Sequence, residues 1–134
     1  MHVLVEEDGE ILSHGSVVPR LLRTGGRDLA TGYVEAVATW PARQGRGHGT
    51  TVMREVTAHV DRTFALGALC TSVPGFYERL GWTRWTGLTS VRTGDGERAT
   101  PEEDGGVLVR RTPSSPDLDV AAPLSCEWRP GDAW

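Results

Sequence analysis

Six consecutive residues, Gln44-Gly45-Arg46-Gly47-His48-Gly49, carry three glycines and an arginine. Glycine lets the backbone approach a ligand closely and adopt turns that other residues resist. An apolar i, i+4 series follows at once: Val52, Val56, Val60 and Phe64, with Met53 beside it. That period predicts a long helix, whose first turn leaves N–H groups unpaired next to the glycines. Such groups, at the positive end of a helix dipole, hold anionic oxygens. Arg43 and Arg46 add charge that pairs with phosphate. The run lacks the Lys-Ser/Thr of a P-loop, and its glycine spacing is not that of a dinucleotide fingerprint. An ordinary strand-to-helix turn is the competing reading.

Other reactive side chains are scattered. Glu35 lies inside the apolar run Thr31 to Thr39, where a carboxylate needs a reason; the plain one is an exposed strand face. Tyr77 follows Phe76 in a segment, Pro74 to Leu80, that suits a short helix begun by proline. It either packs that helix or offers a phenol proton. Residues 95–134 hold nine acids against four arginines, whereas residues 1–94 hold nine acids and ten arginines. The acidity is thus C-terminal, as a solvated tail or as a wall for a cationic ligand. His2, His14, His48 and His59 show no metal-ligand spacing, so no metal is expected. Cys70 and Cys126 form no motif and read as free thiols of a reducing cytosol.

These residues need a frame. Val3 to Val5, the Asp8-Gly9 turn and Ile11 to Val18 predict an opening hairpin. Arg20 to Asp28 reads as a polar loop. Thr31 to Thr39 reads as a strand, with Tyr33, Glu35, Val37 and Thr39 on one face and Val34, Ala36 and Ala38 on the other. Gly67 is placed just past the long helix as its C-terminal cap, with a buried strand over Ala68 to Ser72. Further strands are expected over Trp82 to Trp85, Thr89 to Arg92, Val107 to Arg110 and Leu124 to Trp128, with a polar loop from Thr93 to Gly106. The predicted order, β-β-β-α-β-α-β-β, is a mixed sheet of the α+β or α/β class.

The chain has 134 residues, the size of one domain. Its formal net charge of −4 argues against nucleic acid as a general partner. No apolar run reaches the ~20 residues of a membrane span. No basic-apolar leader opens the chain, so a cytoplasmic location is expected.

The pattern Gln44-x-x-Gly47-x-Gly49 before a long helix resembles the pyrophosphate-binding loop of the GCN5-related N-acetyltransferases. Ala68-Leu-Cys-Thr-Ser72 and Phe76-Tyr77-Glu-Arg-Leu-Gly-Trp82 fit the same superfamily. Thr31-Gly-Tyr-Val-Glu35-Ala-Val-Ala, Thr89-Ser-Val91 and the ending Cys126-Glu-Trp-Arg-Pro-Gly-Asp132-Ala-Trp134 are similar to its aminoglycoside 2′-N-acetyltransferases. The resemblance implies that fold over residues 1–134, without its usual first strand and helices. It implies acetyl-CoA as cosubstrate, held by Val37, Ala38, Thr39, Gln44, Gly45, Arg46, Gly47, His48 and Gly49. Glu35 would accept a proton from the amine through water, and Tyr77 would act as general acid. Glu35, Ala36, Cys70, Glu103, Asp104, Asp132 and Trp134 would contact the cationic acceptor. Cys70 stands where those enzymes carry a small hydroxyl residue.

The expected activity is acetyl transfer to the 2′-amine of an aminoglycoside, by direct attack in a ternary complex. The alternatives are another small polyamine or a peptide amine as acceptor, or a truncated, non-catalytic CoA-binding protein. A homodimer is left open.

Overall fold

Asp8 and Gly9 both have positive φ, 52° and 79°, and turn the chain back between β1 (His2–Glu7) and β2 (Glu10–Thr24). Both central residues of a tight hairpin turn need that left-handed backbone. The computed structural model describes residues Met1–Trp134. β2 runs much further than Val18. The loop expected over Arg20 to Asp28 shrinks to Gly25-Gly26, again both at positive φ, and β3 (Arg27–Thr39) starts immediately. Charged residues masked this hairpin, yet Arg23 and Asp28 are cross-strand partners joined by an ion pair of 2.6 Å.

β3 is not a regular strand. Ser16 pairs with Glu35 and His14 with Ala38, so two residues of β3, Ala36 and Val37, oppose Gly15 alone. Ala36 sits at φ 56°. This bulge changes the facing of the side chains after it. Val37 therefore packs in the same core as Val34, while Tyr33 belongs to the core on the other side. The simple alternation expected for Thr31 to Thr39 is corrected accordingly.

A 3₁₀ turn (Pro41–Arg43) and the glycine loop lead into α1 (His48–Thr63). Val52, Met53, Val56 and Val60 are its fully buried face, packed with Val17, Val34, Leu69 and Leu108. The helix closes at Phe64, not Gly67. Gly67 instead lies in β4 (Leu66–Cys70), where a Cβ would come within 2.8 Å of Val60 and 2.9 Å of Trp82. Its value is close packing rather than capping. The strand accordingly starts and ends earlier than expected from Ala68 to Ser72.

α2 (Pro74–Glu78), β5 (Thr83–Arg84), β6 (Thr89–Thr93), β7 (Gly96–Ala99), β8 (Val107–Arg111) and β9 (Leu124–Glu127) complete the chain. β7 and a 3₁₀ turn (Pro101–Glu103) replace the loop expected over Thr93 to Gly106. Every residue of β7 is exposed, so no apolar alternation marks it. The nine strands form one mixed sheet, ordered β5-β8-β4-β3-β2-β9-β6-β7, with β1 on β2. The class is α+β. No helix is long and apolar enough to cross a membrane.

Candidate active site

β3 and β4 are parallel, but they pair only at Thr31–Leu66, Gly32–Gly67 and Tyr33–Ala68. Past Tyr33 they part. β4 continues along β8, while β3 runs on through the bulge to Thr39 beside β2 alone. Parting parallel strands leave a crevice at their carboxyl ends, where α/β folds bind ligands. Here a groove of about 820 Å³ is lined by Val37, Ala38, Thr39, Gln44, Gly45, Gly47, His48, Gly49, Thr50, Val73, Phe76 and Tyr77. Eight of the nine residues expected to hold the cosubstrate thus share one groove with Tyr77. Arg46 is exposed and lies outside the lining.

The loop suits an anionic ligand. Gly45 and Gly47 adopt φ of 79° and 80°, and neither has an atom within 4 Å of the place a Cβ would take. Gly47 is the N-cap of α1 and supplies no side-chain cap; the first backbone bond back to it comes from Thr51 N–H. The N–H groups of His48, Gly49 and Thr50 are therefore left for a ligand. Arg43 faces Glu10 at 3.8 Å, whereas Arg46 makes no ion pair.

Tyr77 is buried, with its ring edge-on to Phe76 at 4.9 Å between centroids. Burial raises its pKa, so the phenol keeps its proton. No sealed side-chain polar atom of the protein lacks a partner. The Tyr77 hydroxyl, bonded to nothing in the chain, is therefore not sealed off, and Tyr77 lines the groove.

The charged wall is more elaborate than expected. Glu35 is half-buried, and its Oε2 accepts a 3.0 Å bond from Arg129 Nη1. Arg129 Nε also donates to the Asp132 carbonyl at 2.7 Å. The guanidinium lies 5.3 Å from the Tyr33 ring, and Arg20 lies 4.9 Å from the same ring. Cys70 donates to Glu103 Oε2 at 3.1 Å. Burial first, and then that carboxylate, push the Cys70 thiol up to about 12, with a further contribution from Asp132. Asp132 keeps an exposed carboxylate with no partner in the chain.

Three of the expected acceptor contacts have partners within the chain. Asp104 Oδ1 accepts from both the N–H and the hydroxyl of Thr89, each at 2.8 Å. Trp134 is no loose end: it is buried, and its indole N–H donates to Thr100 Oγ1 at 3.1 Å. Ala36 turns its carbonyl to His14 Nδ1 at 2.9 Å. Both cysteines are free.

The acetyltransferase (GNAT) domain matches residues 1–85. The chain belongs to the GCN5-related N-acetyltransferase family. An aminoglycoside 2′-N-acetyltransferase of Mycolicibacterium fortuitum is 38% identical over 138 residues, covering 100% of this chain and 71% of that protein. A GNAT family N-acetyltransferase of Escherichia coli, solved in complex with CoA, superposes with a TM-score of 0.66 at 15% identity. The match covers 96% of this chain and 66% of that one. A GCN5-related N-acetyltransferase of Kribbella flavida gives 0.59 at 24% identity, over 65% of this chain. The chain spans only 23% of that longer protein.

Within this GNAT site, three residues escaped the sequence reading. Arg20, Tyr33 and Arg129 tie the wall together. Arg20 is a buried cation in an apolar strand, a signal as plain as that of Glu35. Arg129 lies 94 positions from its carboxylate, and nothing local announces the pairing.

Proposed function

We propose that this chain transfers an acetyl group from acetyl-CoA to the 2′-amine of an aminoglycoside. The observation that carries the reading is one continuous arrangement. A glycine loop fit for pyrophosphate and a protonated Tyr77 line one groove where β3 and β4 part, and Glu35 lies on β3 two residues before Val37, which lines that groove. The 38% identical relative supports the choice of acceptor.

Acetyl-CoA supplies an activated thioester. The N–H groups of His48, Gly49 and Thr50 hold the pyrophosphate, and the β3 edge from Val37 to Thr39, unpaired on the β4 side, offers amides to the pantetheine arm. Glu35 uses the oxygen not bonded to Arg129 to take a proton, through water, from the attacking amine. Tyr77 gives its hydroxyl proton to the departing thiolate, and water restores it. Asp132 and Glu103 bind further ammonium groups of the acceptor. The protein thus acts by positioning and proton transfer, without a covalent intermediate.

Thiol release from acetyl-CoA tests this directly. Aminoglycosides bearing a 2′-amine should be turned over, and those with a 2′-hydroxyl should not. Turnover of spermidine or a peptide amine in their place would move the acceptor to another class. Tight CoA binding without turnover of any amine would leave a binding protein.

A further inference from the structure

We infer that Arg129 is a positioning residue of the active site, holding Glu35 in one orientation and joining it to the acceptor-binding tail. The inference rests on the acetyl-transfer reading above and adds a residue to it.

Arg129 spends its donors on two elements. Nη1 bonds Glu35 Oε2 on β3 at 3.0 Å, and Nε bonds the Asp132 carbonyl at 2.7 Å. A planar guanidinium fixes the angle between its donors, which an ammonium does not. The Tyr33 ring, 5.3 Å away, holds the guanidinium from a third direction. With Oε2 held by Arg129, Glu35 keeps Oε1 free of any partner in the chain and open to a proton donor. The same fork fixes the backbone that carries the Asp132 carboxylate.

A purely structural anchor is a poorer account, because the tail is already anchored twice. Arg20 is 7% exposed and donates to Glu127 Oε1 at 2.5 Å, to the Glu127 carbonyl at 2.7 Å and to the Ala133 carbonyl. Trp134 is buried in the core and bonded to Thr100. The Glu35 carboxylate, by contrast, has no other partner in the chain. Loss of Arg129 therefore falls mainly on Glu35.

A double-mutant cycle tests the link. Arg129→Met, Glu35→Gln and the double variant are assayed for acetyl transfer to an aminoglycoside, with acetyl-CoA affinity measured by calorimetry. Arg129→Met should lower kcat/KM for the amine by ten- to a hundredfold and leave acetyl-CoA affinity and melting temperature nearly unchanged. Added to Glu35→Gln, it should cost less than threefold more. Arg129→Lys should recover part of the loss. If Arg129→Met does not fold, the cycle is run with Arg129→Lys. Multiplicative losses, or an equal loss of acetyl-CoA affinity, would overturn the positioning role alone. A wild-type chain that acetylates no amine would overturn the functional reading, and this role with it.

Discussion

Glu35 and Arg129 meet at 3.0 Å across 94 residues of chain. This contact joins the central strand to the C-terminal tail, so the proposed site draws on both halves of the protein. Neither partner is fully exposed or fully buried, at 36% and 27% of the side chain, so the contact is worth no more than a modest surface pair. Its importance lies in geometry, and the predictions below separate geometry from stability.

Gly47 sits at φ 80° with open space around the Cβ position. A Cβ there meets no atom within 4 Å, so the cost to the fold is mainly backbone strain, about 1–2 kcal/mol for an ordinary residue and more for a β-branched one. Gly47→Val is expected to abolish CoA binding by calorimetry while the chain still melts cooperatively. Retained affinity would remove the loop from the cosubstrate site.

Tyr77→Phe should reduce kcat by about 10²–10⁴-fold, the range of a lost general acid. Acetyl-CoA affinity should stay within a few-fold, since the ring is kept. Because burial raises the Tyr77 pKa, the wild-type rate should hold to pH values at which a free phenol begins to ionise. A pH-rate profile and single-turnover kinetics check both points. An unchanged kcat at saturation would assign the proton to another group.

Cys70 offers a chemical readout of the wall. Its thiol, moved from 9.0 to about 12, should alkylate roughly a thousandfold more slowly at pH 8 than the unfolded chain, because the thiolate is the nucleophile. Glu103→Gln should speed the reaction, since the carboxylate favours the protonated thiol. The folded pKa is the higher one, so the associated stability is intact below pH 9 and lost as the pH rises toward 12. Cys70→Ala should flatten that alkaline decline in melting temperature. Rapid alkylation of the native wild type would contradict the pairing.

Asp132 tests the acidic wall by charge alone. Asp132→Asn should raise the aminoglycoside KM about tenfold or more, the loss of a charge-assisted bond worth ~1.5–3 kcal/mol. Added salt should narrow the gap between wild type and variant. Deleting residues 131–134 would be a poor substitute, because Trp134 is part of the core. Trp134→Ala should cost about 3–5 kcal/mol in urea unfolding. An unaltered KM in Asp132→Asn would return the tail to a solvated surface.

The glycine loop, α1 and Tyr77 are legible in the sequence because each is a local signal. A glycine cluster, a 3.6-residue apolar period and a proline start all act within a few residues. The bulge at Ala36 is not legible, since its cause is the register against β2 and the conformation belongs to an ordinary alanine. β7 is hidden because none of its residues is buried, and the β2–β3 hairpin because its pairing sits among charges. The wall is half legible. Its acids show as a charge excess, but which carboxylate is free and which is engaged depends on partners such as Thr89, Cys70 and Arg129 from elsewhere in the chain.

The position of β9 has a consequence for the order in which the protein can form. It follows every other strand in the sequence, yet it lies between β2 and β6 and alone joins the β6–β7 hairpin to the rest of the sheet. A growing chain therefore cannot close its sheet until residues 124–127 have been made. Until then the apolar positions Leu22 and Val91 lack the strand that separates them from solvent. Such long-range closure is slow. Ribosome-stalled chains ending before Leu124 are expected to be protease-sensitive and to bind hydrophobic dyes, and chains extended past Trp134 by a linker to be resistant. Equal resistance in both would mean that β1 to β8 form a stable unit without the strand between them.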